Sequence, residues 1–139
     1  MIEKNGSSGF VEVEHTADWA IKVWADRLDD LFSAAAAGMY ALMDVQVLSG
    51  QRTSAVFRVN GIDPETFLVG FLSELLYRLE SDRIAFNKFD LRFNAVFLEA
   101  HVDGAPVISQ NKEIKAATYH NLKIRQVNGK YETTIVFDV

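Results

Sequence analysis

The sequence predicts a single α+β domain, two amphipathic helices packed on largely antiparallel β-sheet. Three observations predict it. Two long stretches repeat apolar residues at the three-and-four spacing of a helix. Most of the remaining chain alternates apolar and polar residues with the period of two that marks half-buried strands. One Asn-Gly pair between two alternating runs marks a tight hairpin, the connection typical of antiparallel neighbours. At 139 residues, 49% of them apolar and ten of them Phe, the chain matches one domain of about 100–150 residues with ample material for a core. No repeat or linker divides it, so the domain is placed at 10–139 behind a flexible Gly/Ser-containing arm, 1–9. That arm has no apolar stretch behind a basic start and does not read as a signal peptide.

The elements follow in order. Phe10-Val11-Glu12-Val13 and Ala20-Ile21-Lys22-Val23-Trp24 read as two short strands around a polar break, Glu14-His15-Thr16-Ala17-Asp18. Leu28, Leu31, Phe32, Ala35, Ala36, Met39, Leu42 and Met43 then form one face of a helix. Asp26 is its expected N-cap, and Asp29 and Asp30 lie where the helix dipole favours acids. After Ser49-Gly50-Gln51-Arg52, the alternation of Ala55, Phe57 and Val59 predicts a strand. A second helix opens with Asp63 as N-cap and Pro64 at its first position. Its stripe is Phe67, Leu68, Phe71, Leu72, Leu75 and Leu79, and Val69 and Leu76 widen it enough to require cover on more than one side.

Strands return with Phe89, Leu91 and Phe93 in one phase and Val96, Leu98, Ala100 and Val102 in the other, so a bulge or bend is expected near Asn94-Ala95. Asp103-Gly104 reads as a turn leading into a loop that ends near Asn111. Ile114 to Tyr119, Leu122 to Gln126 and Tyr131 to Phe137 complete the set. The turn at Asn128-Gly129, where both positions need positive φ, sets a register that pairs Val127 with Lys130, Arg125 with Glu132 and Leu122 with Ile135. Charges then match on one face and apolar residues on the other. Extended further, the ladder puts Tyr119 opposite Asp138 and His120 opposite Phe137.

Several function classes drop out. The net charge of -5 with scattered basic residues argues against direct, tight nucleic-acid binding, which draws most of its affinity from neutralised phosphates. The lack of Cys excludes disulfides and thiolate metal sites and suits a reducing compartment. The longest nearly apolar stretch, Leu31 to Met43, is shorter than the about 20 residues of a membrane span, so a soluble, cytoplasmic protein is expected. No Gly-Lys-Ser/Thr phosphate loop, dinucleotide glycine pattern or Gly-x-Ser-x-Gly elbow is present. His15, His101 and His120 lack zinc-ligand spacing.

A few polar residues remain in unusual surroundings. Asp18, in the break between two apolar strands, is either a turn-forming residue or a carboxylate for a hard cation or a partner's basic group. Asp138 is either a solvated acid or, with the Val139 carboxylate, part of an oxygen-donor pair suited to Ca²⁺, Mg²⁺ or Mn²⁺. Lys115 shares a strand face with Ala117 and Tyr119, as an edge-guarding lysine or a functional one. In the straight register it lies about 13 Å along the strand from Tyr119, at ~3.3 Å per residue. A bend near His120-Asn121 would be needed to bring it to Asp138. His120, beside Phe137 in that register, reads as structural.

His15-Thr16-Ala17-Asp18 ahead of a strand and the first helix, Ser73-Glu74-Leu75-Leu76-Tyr77, Glu113-Ile114-Lys115-Ala116-Ala117-Thr118-Tyr119-His120 and the ending Phe137-Asp138-Val139 together resemble the archease family over Val11 to Val139. The resemblance implies an accessory protein rather than an enzyme. Its implied partner is the GTP-dependent tRNA-splicing RNA ligase, whose guanylylation and multiple turnover archeases promote. It also implies a divalent-metal site, with Asp18, Asp138 and the carboxylate of Val139 as ligands and Lys115 as a further functional residue. Two features depart from the family pattern: the loop Pro106-Val107-Ile108-Ser109-Gln110-Asn111 lacks a His before the lysine strand, and Trp19 follows Asp18 in place of a smaller aliphatic. Two other classes, a metal-dependent phosphatase using Asp18 and Asp138 and a general chaperone or modulator of RNA-modifying enzymes, are the alternatives.

Overall fold

The computed structural model describes residues 8–13 and 19–139. Its elements are β1 (Ser8–Val13), β2 (Trp19–Ala25), α1 (Leu28–Leu42), β3 (Gln46–Val47), β4 (Thr53–Asn60), α2 (Pro64–Asp82), β5 (Ile84–Phe93), β6 (Phe97–Ser109), β7 (Ala116–Ala117), β8 (Arg125–Val127) and β9 (Lys130–Asp138). They form two antiparallel sheets. One runs β1-β2-β9-β7 with β8 also on β9, and in the other β6 pairs with β3, β4 and β5. Both helices pack on these sheets around one continuous apolar core. The α+β reading with two helices on antiparallel sheet therefore holds.

The helix α2 starts as its sequence dictates. Asp63 accepts from the Thr66 backbone N–H at 2.8 Å, and the Thr66 hydroxyl accepts from the Asp63 N–H at 3.1 Å. These bonds satisfy amides that have no partner inside the helix. Val69 and Leu76 are buried along with the main stripe, because α2 touches β4, β5, β6, β7 and α1. Its end turns at Arg83, in the left-handed region at φ 55°. The start of α1 differs from expectation. Arg27, not Asp26, is the N-cap, and no side chain caps the helix. Asp26 instead accepts from Lys130 Nζ at 2.8 Å, a pairing with β9 that local sequence does not reveal.

In the second sheet the phase slip near Asn94-Ala95 is a complete reversal. The strands β5 and β6 form a hairpin across it, and Asn94 Oδ1 accepts from the amides of Val96 and Phe97, both at 2.9 Å. Asp103-Gly104 is not a turn, since β6 runs straight through to Ser109. Gly104 is there because β5 bulges: the register jumps from Phe86↔Gly104 to Lys88↔Asp103 and leaves Asn87 unpaired. A Cβ on Gly104 would stand 2.0 Å from the Ala85 carbonyl oxygen. The glycine answers to a close backbone approach, not to a chain reversal.

The outward face of this sheet carries rows of charges. Arg58, Glu99 and Arg92 lie side by side on β4, β6 and β5, as do Ser54, Asp103 and Lys88. Hydrogen bonds and ion pairs tie them together: Arg52 and Ser54 to Asp103, Arg58 and His101 to Glu99, and Arg92 to Asp90. These contacts hold Asp90, Glu99 and Asp103 below the usual carboxylate range; the leading partners are Arg92, His101 and Arg52 respectively.

Candidate functional site

Asp138 and Val139 are delivered by β9, the strand that sheet one builds around. Alternate residues Thr133, Ile135 and Phe137 point into the core, and Phe137 is fully buried. Asp138, one residue further on, is exposed, and the Val139 side is 39% exposed. On one flank β2 pairs with β9, and the register ends at Trp19↔Phe137. This is one residue short of Asp18 on one strand and of Asp138 on the other. Asp18, with the rest of the polar break 14–18, lies outside the described residues.

On the other flank the structure corrects the expected register. The hairpin pairs Val127↔Lys130 and Arg125↔Glu132 as read from sequence, with Asn128 and Gly129 both at positive φ (53° and 79°). Beyond it the ladder breaks. The pairings Leu122↔Ile135, Tyr119↔Asp138 and His120↔Phe137 do not form; Ala116 faces Asp138 and Ala117 faces Phe137 instead. From Glu132 to Phe137 β9 takes five steps, whereas the facing chain takes eight from Arg125 back to Ala117. The surplus bulges outward through a turn in which the Leu122 N–H donates to the Tyr119 carbonyl at 3.0 Å and Asn121 adopts φ 51°. Polar contacts pin it: the Ile124 N–H donates to Glu65 at 2.8 Å, the Thr133 hydroxyl to the Lys123 carbonyl at 2.8 Å, and the Thr118 hydroxyl to the Val136 carbonyl at 2.9 Å.

The bulge has a direct result. The sequence required a bend near His120-Asn121 for Lys115 to approach Asp138, and this is that bend. Three surplus residues amount to about 10 Å of strand, and the backbone N–H of Lys115 now donates to the Asp138 carbonyl at 2.8 Å. The Lys115 side chain is exposed, as are those of Tyr119 and His120. His120 is therefore not packed on Phe137; it sits in the turn, its N–H donating to the Thr118 hydroxyl at 3.2 Å. The predicted strand from Ile114 to Tyr119 shrinks to Ala116–Ala117.

Sequence reasoning missed one member of this neighbourhood. The ammonium of Lys112 lies 4.9 Å from the centre of the Trp19 ring, within the range of a cation–π contact. The backbone N–H of Lys112 is fixed by the Met43 carbonyl at the end of α1, at 3.2 Å. In the sequence Trp19 stands out only by its size; nothing in local spacing pairs it with a lysine so distant in the chain. Among the described residues no three His, Asp or Glu side chains converge as a metal cluster. Asp138 makes no side-chain hydrogen bond or ion pair among them. No helix of the described residues is long and apolar enough to cross a membrane.

Comparison with known proteins gives one consistent result. The model of the Archease protein family (MTH1598/TM1083) matches residues 10–139. Curated relatives named protein archease include one from Methanosarcina mazei, 29% identical with 91% of this chain and 93% of the relative covered. Another, from Saccharolobus islandicus, is 32% identical over 91% of this chain and 95% of its own. Among solved structures, a Thermotoga maritima protein described as an archease, possible chaperone, superposes with TM-score 0.73 at 21% identity, over 91% of this chain and 94% of that one. A Methanobacterium thermoautotrophicum protein gives TM-score 0.70 at 19% identity, over 96% and 99%.

Proposed function

The chain belongs to the archease family, and from that membership we propose that it is an accessory protein of a GTP-dependent tRNA-splicing RNA ligase. It promotes guanylylation of the ligase and its repeated turnover, and has no turnover of its own. The observation that most supports this reading is the register slip that brings Lys115 to Asp138 and Val139. Three residues named from sequence as functional thus share one exposed corner, where an ordinary ladder would have kept the lysine apart.

A divalent cation fits this corner by chemistry. The Asp138 side chain is exposed and makes no side-chain hydrogen bond or ion pair among the described residues, and a Val139 α-carboxylate would add a second acidic group. Both offer hard oxygen donors, the set that Ca²⁺, Mg²⁺ and Mn²⁺ prefer. With Asp18 as the third donor these residues would hold the ion, which would supply positive charge for a phosphate-bearing partner surface. The chain's own groups do the rest. Lys115 brings an exposed cation on the strand segment facing Asp138, and the net charge of -5 favours docking on a basic, RNA-handling protein. The RNA is gripped by the ligase, within the cytoplasm.

The test uses substoichiometric protein with its cognate ligase, GTP and Mn²⁺, following ligase guanylylation and multiple-turnover joining of RNA halves. Stimulation that disappears in a folded Asp138→Ala variant and falls in Lys115→Ala supports the proposal. Full stimulation by Asp138→Ala overturns the role of the acidic corner. Release of phosphate by this protein alone overturns the accessory role.

A further inference from the structure

A second concave region lies away from this corner, between the outer side of α1 and the strands β3, β5 and β6. It has a volume of about 260 Å³ and is lined by Ala37, Tyr40, Val45, Val47, Phe86 and Phe89, with Arg52 and Asn87 also contributing. It shares no residue with the candidate functional site. We propose that it is a binding pocket for a small carboxylate with an aromatic or short aliphatic body, its anionic head held by Arg52, Asn87 and Tyr40.

The hydrogen-bonding groups of the lining favour such a ligand. The pocket wall is mostly apolar; of its four polar side chains Ser33 has its hydroxyl committed to the Asp29 carbonyl at 3.2 Å, and the other three have donors in excess. The phenolic oxygen of Tyr40 accepts from the Phe86 N–H at 3.2 Å, which leaves its own O–H without an acceptor among the described residues. Burial pushes that phenol up to about 12, so it remains a donor at neutral pH. The Asn87 carbonyl oxygen accepts from Arg52 Nη2 at 2.6 Å, which leaves the amide N–H₂ uncommitted among the described residues. Arg52 is anchored to Asp103 through Nε at 2.8 Å and through Nη2, and its Nη1 donors have no partner among the described residues. An apolar recess in which Tyr40, Asn87 and Arg52 offer unused donors favours a ligand with an acceptor head and an apolar body.

The β5 bulge is what supplies the geometry. Because Asn87 is skipped in the pairing with β6, its side chain is released from the ladder to meet Arg52. Asp103, itself held by the Ser54 hydroxyl, then fixes the orientation of the guanidinium, which lowers the ordering cost of binding an anion. The volume lies just under the about 300–1,000 Å³ typical of drug-sized ligands, so the occupant is small.

Phenylacetate, octanoate and the neutral phenylacetamide are titrated into the full chain, followed by amide chemical shifts and, for affinity, by calorimetry. The expected result is saturable shifts confined to residues around Tyr40, Val45, Val47 and 86–89 with the two carboxylates. Phenylacetamide and an Arg52→Gln variant should each bind about tenfold more weakly, as loss of a charge-assisted hydrogen bond implies. Val47→Phe, a change at a partly exposed residue of the rim, should block binding while the melting temperature holds. No saturable shifts with either carboxylate overturns the proposal, as does equal affinity for carboxylate and amide. Binding that survives Val47→Phe unchanged overturns the assignment to this pocket.

Discussion

Gly104 and Asp63 are each needed for a reason that one contact states. At Gly104 an added methyl group would stand 2.0 Å from the Ala85 carbonyl oxygen, which is backbone and cannot rotate away. Gly104→Ala is therefore expected to destabilise by about 1–3 kcal/mol, the usual range for forced overpacking, and a thermal melt checks it. Asp63 caps α2 through two reciprocal bonds, so Asp63→Ala should lose about 1 kcal/mol. Asp26, the cap expected for α1, makes only an exposed pair with Lys130. Asp26→Ala should cost clearly less than Asp63→Ala in the same denaturant titration, since exposed pairs contribute about 0–1 kcal/mol. A comparable loss for both would return Asp26 to a capping role.

Among the elements, the hairpin of β8 and β9 is the most exactly legible and also marks where legibility stops. Asn128-Gly129 fixes both φ signs and the first pairings, because turn chemistry is local. Gly129→Ala, at φ 79°, should destabilise by about 1–2 kcal/mol, the cost of a left-handed conformation with a side chain. Urea unfolding measures it. The outward bulge before β8 rests on Glu65, Thr118 and Thr133, contacts from remote elements that no spacing rule contains. Hence Lys115, Asp138 and Val139 could be named from sequence while their proximity could not be derived. The same holds for Asp103-Gly104: the dipeptide looks like a turn, and only the neighbouring strand explains the glycine. Both helices are legible along their long buried stripes, while the cap of α1 is not.

At the scale of the molecule, the charged rows on sheet two predict acid sensitivity. Asp90, Glu99 and Asp103 have folded pKa values below their ordinary ones. The unfolded chain then binds more protons in the acid range, so the stabilisation is present above about pH 4 and lost as pH falls through the carboxylate range. Asp90 is exposed and Glu99 and Asp103 are half-buried at the surface, so the effect should be modest and weaken at high salt. Melting temperatures measured from pH 6 to pH 3 at two ionic strengths check it; a flat profile at low salt would contradict it. Tyr40 sets the opposite limit: its folded pKa is about 12, so its contribution holds below about pH 10 and fades as pH rises towards that value.

The pairing of β2 with β9 also governs the order of events when the chain folds. The strands β5 and β6 meet across a hairpin of a few residues, whereas β2 must wait for a strand at the far end of the chain. Closing so long a loop is entropically slow, and contacts of high sequence separation dominate the folding barrier. Sheet two can nucleate early, and the corner that carries Lys115, Asp138 and Trp19 forms only when the last strand slots in. In pulse-labelled hydrogen exchange the amides of β5 and β6 should gain protection before those of β2 and β9. A chain halted partway would hold a formed pocket and no functional corner.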